Sequence, residues 1–161
     1  MIIFREIIIT VESPEFILSD EFFMRAALRE AQMALEEDEV PIGAVIVCNN
    51  TIIAKGHNMT EKLNDVTAHA EMLAFTAASS YLNSKYLIDC TLYVTLEPCL
   101  MCAGASFWTQ IPRIVFGAYD EKRGYQRVDY PLLHPTTKVE GGILGGESAD
   151  MLKAYFKTKR K

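Results

Sequence analysis

Three metal-ligating side chains and one carboxylate, placed at the starts of two helical stretches, constrain this chain more than any other feature. Cys99 and Cys102 form a Cys-x-x-Cys directly after Pro98, and His69-Ala70-Glu71 begins thirty positions upstream of Cys99. Between them lies Thr91-Leu92-Tyr93-Val94-Thr95-Leu96, an apolar run rich in strand-forming residues. Residues three apart on a helical turn share a face, so both sulfurs can point the same way. The free N–H groups and dipole of a helix N-terminus favour their thiolate forms. His69, at the start of the preceding helix, can face the same point.

A closed structural zinc site takes four Cys or His ligands, whereas a catalytic one takes three and leaves a position for water. His69, Cys99 and Cys102 supply three, and Glu71 adds a carboxylate free to move protons. Soft thiolate ligands favour zinc among the common metals. Zinc held this way lowers the pKa of water to near neutrality, with Glu71 as general acid and base. Three plainer readings compete. A Cys-x-x-Cys can be a redox pair, but that leaves His69 and Glu71 without a role. His-x-Glu occurs at many helix starts by chance. A structural zinc would need a fourth ligand, and His57 and His134 are the only other histidines. The open catalytic site uses all the parts in one arrangement around a strand.

The rest of the chain reads as a frame for that site. Ser19 or Asp20 can cap a helix over 20–37, with Phe23, Ala27, Ala31 and Ala34/Leu35 at helical spacing and Pro41 beyond its end. Gly43 to Val47 and Thr51 to Gly56 predict a hairpin around Asn49-Asn50. Thr67 can cap a second helix with apolar positions Ala70, Leu73, Ala74, Ala77, Ala78 and Tyr81. Pro98 opens a third helix over 99–109. Pro112 to Gly117 predicts a strand, 119–138 an irregular loop with a short apolar piece near Val139 to follow, and Glu147 to Lys157 a last helix. Alternating strands and helices predict a three-layer α/β/α sandwich around a mixed sheet of about five strands. Residues 20–161 form its single domain, and residues 1–19 are an N-terminal extension of unknown role.

Composition narrows the class further. No apolar run reaches the ~18 residues of a membrane span, and the first residues lack the pattern of a signal peptide. The expected location is therefore cytoplasmic, with no membrane association and no protein partner predicted. Cys48 and Cys90 sit in apolar strand-like runs and read as small buried hydrophobes. A net charge of −5 argues against indiscriminate nucleic-acid binding. The charge is uneven: acids crowd Glu36-Glu37-Asp38-Glu39, and Lys153, Lys157, Lys159, Arg160 and Lys161 end the chain. Those cations serve either as a solvated helix end or as a strip for phosphates.

His-x-Glu followed by Pro-Cys-x-x-Cys matches the established signature of zinc nucleobase deaminases, in which the glutamate shuttles protons without ligating the metal. The match extends beyond the signature. Glu39-Val40-Pro41-Ile42-Gly43-Ala44-Val45, Thr67-Ala68-His69-Ala70-Glu71-Met72, Thr91 to Ala105, Ile114 to Ala118 and Leu133-His134-Pro135 resemble the bacterial tRNA-specific adenosine deaminases, of the cytidine deaminase-like superfamily. The resemblance covers roughly 20–160. It implies conversion of adenosine to inosine at the wobble position of a tRNA anticodon, one zinc per subunit and a homodimer whose partner borders each site. It also implies that Asn58 and Ala70 bind the flipped base and Asp120 the ribose. Tyr155 and Phe156 would lie against neighbouring bases, with Lys157, Lys159, Arg160 and Lys161 on phosphates. Tyr119, the loop 124–131 and Phe107-Trp108-Thr109-Gln110 depart from the family pattern and bear on the nucleic-acid contacts, not on the zinc chemistry. Two other functions fit the signature: a guanine or cytosine deaminase of the same superfamily, and a non-catalytic zinc-stabilised RNA-binding module.

Overall fold

A computed structural model describes residues 18–160; residues 1–17 of the N-terminal extension, and Lys161 of the basic tail, lie outside the described part. Its elements, in order, are α1 (Asp20–Glu36), β1 (Gly43–Cys48), β2 (Thr51–His57), α2 (Ala70–Leu82), β3 (Cys90–Leu96), α3 (Leu100–Thr109), β4 (Arg113–Ala118), a 3₁₀ turn (Tyr125–Arg127), β5 (Lys138–Gly141) and α4 (Gly145–Lys159). The five strands form one sheet in the order β2-β1-β3-β4-β5. The β1–β2 and β1–β3 pairs are antiparallel, and β3–β4 and β4–β5 are parallel. The short apolar piece around Val139 is the fifth strand.

Alternation along the strands sorts the core into two layers. Ala44, Ile46, Leu92, Val94, Ile114 and Phe116 face α2, whose Ala70, Ala74, Phe75 and Ala78 pack on them. Val45, Val47, Tyr93 and Val115 face α1 through Phe23, Met24, Ala26 and Ala27. Helix α4 lies on the α1 side, where Arg25 pairs with Glu147 at 3.4 Å. Two glycines let a helix lie directly on backbone on each face. A Cβ on Gly43 would stand 2.1 Å from the Ala27 carbonyl of α1, and one on Gly56 would stand 2.4 Å from the Ala70 carbonyl of α2. Gly56 thereby sets how closely α2, which follows His69, approaches β2.

Of the local expectations, one capping choice holds and several others are corrected. Ser19 caps α1, its hydroxyl accepting from the Phe22 N–H. Thr67 caps nothing: its N–H and hydroxyl both donate to Asp65 Oδ1, and His69 occupies the N-cap position of α2 instead. The buried stripe of α2 is Ala70, Glu71, Ala74, Phe75 and Ala78, while Ala77 and Tyr81 face solvent. Pro98 precedes α3, and Cys99 is its N-cap. Helix α4 begins at Gly145, two residues before the expected start, and ends at Lys159. No helix among the described residues is long and apolar enough to cross a membrane.

One ion pair ties the first helix to the sheet centre. Arg113 donates two bonds of 2.7 Å to the two oxygens of Asp20, and the Tyr93 hydroxyl donates a third, also 2.7 Å. The Arg113 hydrogen bond holds the Asp20 carboxyl below the ordinary aspartate range. Its contribution is therefore full above the unfolded value of about 3.9 and is lost as pH falls through the lower folded value. Asp20→Asn is expected to cost about 1–2 kcal/mol at pH 7, solvent screening included. Melting curves across pH 2–7 should show wild type and variant converging at the acid end.

Candidate metal and active site

The site is built where two helices start at one end of the sheet. His69 and Cys99 are the N-cap residues of α2 and α3, and neither side chain makes a capping hydrogen bond. Ser, Thr, Asp or Asn in that position turns back onto the helix. Here the imidazole and the thiol turn toward each other. Cys99 Sγ lies 3.7 Å and Cys102 Sγ 3.6 Å from His69 Nδ1. These three donors form the one group among the described residues whose ligand atoms lie close enough to hold a metal ion, all within 4.8 Å of one another.

The spacing fits zinc. Bonds of about 2.3 Å to sulfur and 2.05 Å to nitrogen at a tetrahedral angle subtend an S···N distance of about 3.6 Å, close to both distances above. The electrostatics fit as well. A hydrogen bond from Cys102, helped by His69, pushes the Cys99 thiol down to about 4. Cys102, which donates that bond, is pushed up, with burial adding to the effect. The hydrogen bond to Cys99 raises the His69 pKa against its burial. Two thiols and an imidazole thus share protons where a dication would replace them.

Neither remaining histidine completes a closed four-ligand site. His57 Nδ1 and Nε2 each lie 3.3 Å from a carboxylate, of Glu30 and Glu37 respectively. His134 Nδ1 lies 2.8 Å from the Thr136 hydroxyl. Among the described residues the site therefore has three protein ligands, as a catalytic zinc requires.

Glu71 stands beside these donors in the first turn of α2 and is 4 % exposed. Burial pushes its carboxyl up to about 7. A carboxyl balanced near neutrality can both accept and return a proton at working pH. Ala70, fully buried, is the first residue of the same helix.

The other predicted residues divide. Asn58 is buried just after β2, and the Met59 N–H donates to the Ala68 carbonyl at 3.0 Å, which brings Asn58 and His69 to the same end of the sheet. Asp120 Oδ1 accepts the N–H groups of Lys122 and Arg123 at 3.0 Å each, shaping the loop after β4. Tyr155 is buried and donates its hydroxyl to the Asp38 carbonyl, whereas Phe156 is 45 % exposed. Lys159 Nζ bonds both oxygens of Asp38 at 2.7 and 2.8 Å, while Lys157 and Arg160 are exposed.

Two of the buried carboxylates that escaped the sequence reading lie beside the site. Glu97, 4 % exposed, accepts the N–H groups of Asp120 and Gln126 and so hangs the 119–127 loop beside Pro98-Cys99. Cys99 and Gly124 form an isolated bridge across the same junction. Glu39 is fully buried under the Asn58 loop. Their signal was weak: Glu39 closes an acidic run that reads as a solvated helix end, and Glu97 is a single acid in a motif.

A mixed sheet with His, Cys and Cys at two helix starts and a buried glutamate beside them defines a zinc-dependent deaminase of the cytidine deaminase-like class. Residues 18–118 match the cytidine and deoxycytidylate deaminase zinc-binding region. The chain is 45 % identical over 148 residues to the tRNA-specific adenosine deaminase of Aquifex aeolicus, covering 89 % of this chain and 97 % of that one. A structure solved in work on A-to-I editing by tRNA:A34 deaminases superposes with a TM-score of 0.77 at 44 % identity, covering 81 % of this chain and 99 % of that chain. Bacillus subtilis guanine deaminase has a TM-score of 0.61 at 38 % identity, covering 63 % and 66 %. The chain belongs to the tRNA-specific adenosine deaminase family.

Proposed function

We propose that this protein hydrolyses adenosine to inosine at the wobble position of a tRNA anticodon, releasing ammonia. The observation that carries the chemistry is the buried Glu71 beside the His69, Cys99 and Cys102 donors. Zinc bound there supplies the Lewis acidity that activates water at neutral pH. Glu71 takes the water proton and returns a proton to the departing amine. Its burial excludes bulk water, so the proton stays within the site.

Substrate class follows from family membership, and the surface agrees with it. In this reading Asn58 binds the flipped base and Ala70 belongs to the base-binding end of α2. Asp120 serves the ribose. Because Tyr155 is held in the packing against Asp38, stacking on a neighbouring base falls to Phe156. Of the terminal cations, Lys157 and Arg160 are the exposed ones for phosphates, since Lys159 is engaged by Asp38. The protein works as a homodimer in this reading. Exposed Leu100 and Trp108 of α3 offer an apolar face of the kind that a subunit contact covers. A single deaminase domain over 20–161 and a cytoplasmic location, where tRNA is found, complete it.

The test is ammonia release measured side by side on an anticodon stem-loop with adenosine at the wobble position, free adenosine, guanine and cytosine. Turnover on the stem-loop is expected. Turnover on a free base alone would overturn the assignment in favour of a base deaminase, and RNA binding without ammonia release would favour a non-catalytic module. Changing Lys157 and Arg160 to Gln is expected to raise KM for the stem-loop about threefold to tenfold at low salt. The slope of log KM against log salt should become shallower by up to about two, with no change on free adenosine if it is turned over at all.

A further inference from the structure

We infer that Glu39 is a positioning residue that fixes which end of the Asn58 amide faces the substrate, an inference that rests on the proposed role of Asn58 at the base. Glu39 has no exposed surface, and a carboxylate so placed needs hydrogen-bond partners. It has three, all of them donors. Lys62 N–H donates to Oε1 at 2.7 Å; Asn58 Nδ2 at 3.0 Å and the Thr60 hydroxyl at 3.3 Å donate to Oε2. Asn58 Nδ2 also lies 3.3 Å from the Thr60 hydroxyl. The Asn58 carbonyl oxygen takes part in none of these bonds.

The two ends of a side-chain amide have nearly the same shape, so packing alone does not choose between them; the hydrogen-bond partner does. With both Glu39 oxygens acting as acceptors, Nδ2 must face Glu39. The reversed amide would set Oδ1 against a carboxylate oxygen with no proton between them. The same carboxylate holds the Lys62 backbone, so it also fixes the 58–62 loop. The backbone of Asn58 is pinned independently, its N–H donating to the Ile42 carbonyl at 3.0 Å. What Glu39 adds to that anchored backbone is the direction of the side chain. A residue that reads a base by hydrogen bonds is useful only in one orientation, because a flipped amide presents a donor where the base expects an acceptor, or the reverse.

The experiment is a double-mutant cycle on the zinc-loaded full-length protein, using the anticodon stem-loop and measuring kcat and KM separately. Glu39→Gln keeps the size of the side chain but offers both an N–H and a C=O, so it pairs with either orientation of Asn58. It is expected to lower kcat/KM about tenfold, a loss comparable to one misdirected hydrogen bond, with zinc content unchanged. In an Asn58→Ala background the same change should cost less than about twofold, because no amide is left to orient. Thr60→Val, which removes one donor to Glu39 Oε2 but leaves the carboxylate itself unchanged, should give a smaller loss with the same dependence on Asn58; it carries the test if Glu39→Gln folds poorly. An equal loss with and without Asn58 would show that Glu39 acts only through the fold and would overturn the inference. So would activity of Glu39→Gln within twofold of wild type. Asn58→Ala within twofold of wild type is a different failure, since it would remove the role of Asn58 itself.

Discussion

Glu71→Gln is expected to lower the rate of inosine formation by about a thousandfold, within the 10²–10⁴ typical for a positioned acid–base group, while leaving zinc content and fold intact. Glutamine keeps the shape of the side chain and its place in the first turn of α2, but it cannot take up a proton. Glu71 is almost fully buried, and burial is what pushes its carboxyl up to about 7. Replacing a buried ionisable group by a neutral one of the same volume removes a desolvation cost, so thermal stability should hold or rise. Loss of turnover with a retained melting temperature separates a catalytic role from a structural one. Single-turnover kinetics on the stem-loop, with metal content measured on the same preparation, make the test. Activity within tenfold of wild type would assign proton transfer to another group.

How much of this could be read from the chain depends on how local each feature is. The strands and helices were legible because their apolar periods are local: Thr91 to Leu96 alternates onto two layers, and α1 repeats Phe23, Ala27 and Ala31 on one face. The metal ligands were legible because Cys99 and Cys102 are three residues apart and His69 starts the preceding helix. Capping was legible only in part. Ser19 does what its chemistry suggests, but Thr67 is drawn away by Asp65, and His69 takes the N-cap with its ring turned to the Cys99 and Cys102 sulfurs. Glu39, Glu97 and Tyr155 were beyond local reading. Each is buried by contacts made far along the chain: Glu39 with Asn58 and Lys62, Glu97 with Asp120 and Gln126, Tyr155 with Asp38. An acid in an acidic run has no local mark of burial, and an aromatic at a helix end suits a core as well as a base.

Cys102→Ser is expected to abolish tight zinc retention, by about a hundredfold or more, and to remove the stabilisation that the metal gives the fold. Cys102 is 1 % exposed, and its sulfur is within 3.6 Å of the His69 ring. A serine hydroxyl stays protonated near neutral pH, is a harder ligand than thiolate and leaves the site with one thiolate fewer. Cys99→Ser removes the same ligand type from a half-buried position and should act in the same direction with a smaller loss of stability. A metal held by His69, Cys99 and Cys102 would join the starts of α2 and α3, an arrangement the unfolded chain lacks, so most of its binding free energy would appear as folding stability. Without a dication, two thiols, an imidazole and the Glu71 carboxyl are left crowded in a buried space. A strong chelator should therefore lower the melting temperature of wild type to near that of Cys102→Ser, and should leave the variant almost unmoved. Thermal melts with and without chelator, beside metal content by mass spectrometry, read this independently of activity. A variant that kept its zinc and its melting temperature would remove Cys102 from the ligand set, and with it the three-ligand open site on which the deaminase reading depends.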